Sequence, residues 1–122
     1  MSDEKKTRDY RDLLVWQKGI SVAKGVYELT ERFPSAERFG LISQMRRCAV
    51  SIPSSIAEGQ APHTRGEFVP FISHAEGSAA ELDTQLLLSE EFKFCGAARL
   101  HQMISEIRRM LNSLRRKLVV RR

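Results

Sequence analysis

Residues 100–118 read LHQMISEIRRMLNSLRRKL. Leu100, Ile104, Ile107, Leu111, Leu114 and Leu118 recur in steps of 4, 3, 4, 3 and 4. That is a heptad seam on one face of a helix, the packing pattern of helix bundles. Met103 and Met110 add a flanking row.

Three segments upstream carry similar spacing. In the first, Leu13, Trp16, Ile20, Ala23, Tyr27 and Thr30 share a face, and Val22, Val26, Leu29 and Phe33 form a second apolar row beside it. Pro34 predicts a stop near Phe33, because proline disfavours helical geometry in the residue before it. The second segment is predicted to open with Ser35 as cap and Glu37 in its first turn. Ile42, Met45, Ala49, Ile52 and Ile56 form its core face. Pro53 lies inside this run; the apolar phase continues past it, which predicts a kinked helix, not a broken one. Gly59 reads as the C-terminal stop. After a loop holding Pro62, Thr64 and Glu67 match a capping box. Phe68, Ile72, Ala75, Ala79, Leu82 and Leu86 follow on one face, and Gly96 is placed at the end of this helix or of its last irregular turn. The small residues Gly77, Ser78, Ala79 and Ala80 predict close approach by a neighbouring helix.

Short connections make sequential helices antiparallel. The chain is therefore predicted to be all-α, an antiparallel up-and-down four-helix bundle. It reads as a single domain over residues 1–122, with 1–10 a flexible lead and 119–122 a basic tail. The doubled apolar rows have two readings: a wide core, or a face that meets another subunit.

A chain of 122 residues is long enough to bury a real core without staples. No apolar run nears the roughly 20 residues of a membrane span, and residues 1–12 are too charged for a secretory signal. Cys48 and Cys95, far apart in helical contexts, read as small thiols in a reducing compartment. A cytoplasmic protein with no membrane partner is expected. The net charge of +5 is unevenly placed: residues 99–122 hold eight basic residues against the single acid Glu106, and the rest of the chain has 12 basic and 14 acidic residues. On the last helix Arg108, Arg115 and Arg122 share one heptad position and Arg109 and Arg116 the next, with Lys117 and Arg121 beside them. This basic ridge reads either as a surface for RNA or DNA phosphates or as a solvated helix face.

Catalytic chemistry finds little footing. There is no phosphate-cradling glycine loop, paired-histidine zinc motif or nucleophile elbow. Phe71 and Ala98 precede His74 and His101 by three residues, where di-iron bundles need glutamate. No enzyme activity, metal or cofactor is expected. His63 reads as a loop residue, His101 as a helix-surface one, and His74 as partly buried and hydrogen-bonded. On the second helix Gln44, Arg47 and Ser51 recur at helical spacing, with Ser54, Ser55 and Glu58 beyond. Partly buried charge needs a partner, so Arg46 or Arg47 is expected to pair with Glu76, Glu81 or Asp83, and Glu58 to be buried and paired. A structural polar network and a binding site are both open readings of this group.

The stretches LLVWQK at 13–18, FP at 33–34, ERFGL at 37–41, SQMRR at 43–47, SIPSSIAEG at 51–59, GS at 77–78 and EL at 81–82 resemble the bacterial four-helix-bundle proteins named for 23S ribosomal RNA intervening sequences. Ser55 stands where that family usually has asparagine. The resemblance implies an up-and-down bundle, assembly into ring-shaped homopentamers and no known enzymatic activity. It also implies kinship with accessory proteins of retroelements, which bind nucleic acid and a reverse transcriptase through basic surfaces. The residues it marks are Gln44, Arg46, Arg47, Ser51, Glu58 and Glu81. Two functions are thus in view: a homo-oligomer that binds nucleic acid, and a protein-interaction scaffold.

Overall fold

A computed structural model describes residues 9–60 and 65–120. The expectations for the flexible lead, the Thr64 capping box, His63, Arg121 and Arg122 lie outside the described residues. The helices are α1 (Leu14–Thr30), α2 (Ser43–Gln60), α3 (Arg65–Glu91) and α4 (Ala98–Val120). Each packs against its two neighbours around one core, as the heptad reading predicts. Ile72, Ala75, Ala79, Leu82 and Leu86 on α3 and Ile104, Ile107 and Leu111 on α4 are fully buried.

In α1 the second apolar row faces inward. Val15, Gly19, Val22, Val26 and Thr30 are buried, whereas Ile20 and Tyr27 are 36% and 44% exposed. Leu13, Trp16 and Ala23 sit half-buried at the flank. The helix ends at Thr30, and Phe33 closes a turn beyond it by donating its backbone N–H to Thr30 O (3.1 Å).

Ser35 does not cap α2. It begins a 3₁₀ turn (Ser35–Glu37) without a side-chain cap, followed by a π turn (Arg38–Ile42) in which Glu37 accepts from Leu41 N–H. The backbone leaves helical dihedrals at Gly40 (φ −110°, ψ −108°). From there α2 runs unbroken through Pro53, whose buried ring lies against Gly19 of α1.

Gly59 is the last residue but one of α2 and is buried. A Cβ there would stand 2.6 Å from Phe71 Cβ. Its role is to let the start of α3 cross α2 closely. Gly77, by contrast, is exposed and open around its Cα; close approach on α3 is served by Ser78 and Ala79.

α3 itself ends at Glu91, and Gly96 lies just beyond the irregular turn that follows. Phe94 N–H donates to Ser89 O and Lys93 N–H to Glu90 O, both at 2.9 Å, with Lys93 left-handed at φ 62°. This is a Schellman stop with lysine in the position glycine usually takes. It throws Phe94 back onto Phe33, ring centroids 5.4 Å apart.

The start of α4 is held by α3. Glu90 accepts from Ala97 N–H (2.8 Å), supplying a cap that Ala97 cannot. Glu90 also meets His101 Nε2 at 2.9 Å, and Asp83 meets His101 Nδ1 at 2.6 Å. A neutral imidazole donates from one nitrogen only, so two carboxylates select the imidazolium. Burial opposes that charge, but the hydrogen bonds His101 donates to Asp83 and Glu90 outweigh it, and the His101 pKa is raised. His101 is thus an interhelical clamp, not the plain surface residue its position suggests.

Two outcomes follow. Lys93→Gly should stabilise the fold by roughly 0.5–1 kcal/mol, measured by urea unfolding. The His101 pKa is raised on folding, so its contribution is complete below the unfolded value of 6.5 and is lost as the pH climbs through the higher folded value. Thermal stability should therefore fall across that window in the native protein and fall less in His101→Gln.

Candidate functional site

The motif residues of α2 converge with α3 on a polar seam. Gln44, Arg47, Ser51 and Glu81 line an open cavity of about 460 Å³ together with Cys48, His74 and Ser78. Ser51 and Ser78 hydroxyls meet at 2.8 Å, and Ser55 meets His74 Nδ1 at 2.8 Å. Cys48 Sγ donates to Ser78 O at 3.1 Å. Burial, then the charge and hydrogen bond of Glu81, push the Cys48 thiol up to about 12, so it is no nucleophile near neutral pH. Cys95 is half-buried, and burial raises its pKa too. His74 is hydrogen-bonded as expected but exposed.

Two members of the predicted polar group lie elsewhere. Arg46 turns away from α3 towards the end of α1. It donates from Nε to Thr30 Oγ1 (2.9 Å), pairs with Glu31 (3.4 Å) and covers the Tyr27 ring at 4.4 Å. Two of the three expected acids on α3 have other partners, Glu76 pairing with Arg115 (2.8 Å) and Asp83 with His101, while Glu81 lines the cavity beside Arg47 with no ion pair between them among the described residues. Glu58 is exposed, contrary to the expectation of a buried pair. One helical step from the α3 contact is enough to carry a side chain into solvent.

The basic ridge of α4 is divided. Arg115 is held at two points by Glu76, from Nε at 2.8 Å and from a terminal nitrogen at 3.4 Å, and also donates to Asn112. Arg108, Arg109, Arg116 and Lys117 are exposed. None of these four is in an ion pair among the described residues; Arg109 donates to Ser105 (2.9 Å).

A second basic region lies in the groove between α1 and α4, which the sequence reading did not find. An open cavity of about 490 Å³ there is rimmed by Lys24, Arg32, Arg99 and Glu28, over a floor that includes Leu29, Leu100 and Met103. Gly25 leaves room for the Leu100 side chain as it lies, since a Cβ there would stand 2.9 Å from Leu100 Cδ2. Further along, Lys18 pairs with Glu106 at 3.1 Å, beside a hollow bordered by Arg109, Met110 and Lys117. The signal was present as two rows at helical spacing, Lys18, Ser21, Gly25 and Glu28 on α1 with Arg32 in the turn after it, and Arg99, Met103, Glu106, Met110 and Lys117 on α4. Seeing them as one surface requires knowing that the first and last helices touch.

Among the described residues no three His, Cys, Asp or Glu side chains gather to hold a metal, and no helix is long and apolar enough to cross a membrane. No curated protein matches the chain significantly. A family model described as 23S rRNA-intervening sequence protein matches residues 11–114. That span takes in all of α1, α2 and α3 and α4 as far as Leu114. The bundle, its α2/α3 seam and, of the basic residues of α4, Arg99, Arg108 and Arg109 thus fall within the match, and the chain belongs to the family of 23S rRNA-intervening sequence proteins.

Proposed function

We propose that this protein is a non-enzymatic homo-oligomer that binds the backbone of nucleic acid through the basic face of α4. The supporting observation is the set Arg108, Arg109, Arg116 and Lys117, exposed and free of carboxylate partners among the described residues. Arginine's planar fork matches phosphate oxygens, and releasing counterions from the nucleic acid drives such binding without regard to base sequence. Arg115 is left to a structural role because Glu76 neutralises it.

The assembly reading is supported by α1. Its Ile20 and Tyr27, with Val50 of α2 at 41%, leave apolar surface open. The core is already filled by Val15, Val22 and Val26, so this row is not an inner layer. A second copy of the chain covers it most simply, and the family resemblance supplies a ring of five. Light scattering should then report about five times the 13.9 kDa chain mass; a single 13.9 kDa species throughout the micromolar range would exclude the assembly.

Replacing Arg108, Arg109, Arg116 and Lys117 together by glutamine should preserve helicity and oligomer mass. The same change should reduce the slope of log affinity against log salt for single-stranded RNA by about 3. Binding that is indifferent both to this change and to salt would leave the protein-interaction scaffold as the better reading.

A further inference from the structure

We propose that the α1/α4 groove is a track for single-stranded nucleic acid, in which an unpaired base lies on the floor of Leu29, Leu100 and Met103 while its flanking phosphates meet Lys24, Arg32 and Arg99. This rests on the nucleic-acid reading above and names the form of the ligand and its path. The cations of the rim have no ion pair among the described residues, although Glu28 shares the rim. Phosphate is thus offered three open cationic side chains around a cavity, while the remaining acid of the groove, Glu106, is already matched by Lys18.

The apolar floor is what separates a single strand from a duplex. A duplex keeps its base faces stacked and presents phosphates, so it meets the rim and leaves the floor unused. An unpaired base brings a flat apolar face, and a floor of leucine and methionine accepts it by dispersion without reading its edges. No aromatic ring lines this cavity, so the contact is tolerant of sequence and weaker than an aromatic stack. The track continues to Arg109 and Lys117. From Arg99 to Lys117 along α4 is about 27 Å, the length of about eight stacked nucleotides. It joins the exposed face of α4 at Arg109, a residue common to both surfaces.

The test uses the full chain and three labelled probes: an oligouridylate of about eight nucleotides, an abasic strand with the same number of phosphates, and a duplex of equal length. The native protein should bind the oligouridylate more tightly than either of the others. Lys24→Gln, Arg32→Gln and Arg99→Gln combined should weaken the oligouridylate roughly tenfold or more and lower its salt slope by about 2. All three positions are exposed, and circular dichroism checks that the fold is unchanged. If the oligouridylate binds but the triple variant binds it equally well, or the abasic strand matches it, the groove is not the track and the α4 face alone carries binding. If the native protein binds none of the probes, the nucleic-acid reading itself fails.

Discussion

Small side chains set the distance between α2 and α3. Ala49, Ala75 and Ala79 are fully buried, with Ser55 and Ser78 close to it, and Gly59 has no room for even a methyl group beside Phe68 and Phe71. Helices this close bring short polar groups within hydrogen-bonding reach. Ser51 meets Ser78, Ser55 meets His74 and Cys48 meets the Ser78 carbonyl. The spacing SIPSSIAEG at 51–59 thus combines a close-packed face with a polar edge that locks its register. α1 and α4 complete the core around this pair, and Pro53 turns its ring inward to meet Gly19.

Charge follows from the same arrangement. The acids of α3 are used up on the side of α4 that faces them: Glu76 holds Arg115, while Asp83 and Glu90 hold His101. These partly buried pairs fasten α4 at both ends, near its start and four turns on. The opposite side of α4 faces α1, where among the described residues Glu28 and Glu106 are the acids that line the groove against several cations. Positive potential therefore gathers on the α1/α4 side, not evenly around the helix. Open cations on a surface cost little in water, whereas buried ones require partners. This division separates basic residues that hold the fold from those left available for a ligand.

The bundle ends show how local chemistry is redistributed by packing. Gly96 is not the residue that turns the chain out of α3, although a glycine there invites that reading. The stop of α3 is made by Lys93 in a left-handed conformation, a strain that the returning Phe94 and its contact with Phe33 help to offset. The cap of α4 comes from Glu90, seven residues upstream of Ala97 on another helix. Such partners lie beyond the three- or four-residue windows in which capping is recognised.

Four helices, their antiparallel order, and the inward faces of α3 and α4 were determined by the sequence alone, because their apolar residues keep one helical phase and the polar residues keep another. On α1 both rows are apolar, so periodicity did not distinguish the core row of Val22 and Val26 from the outer row of Ile20 and Tyr27; only the position of α2 and α4 decided it. The basic residues were plain in the sequence, and so was their heptad spacing. Which of them are neutralised was not, because Glu76 is 39 residues from Arg115. The α1/α4 groove was likewise absent from any local pattern. Its two walls come from opposite ends of the chain, and only closing the bundle brings Gly25 against Leu100.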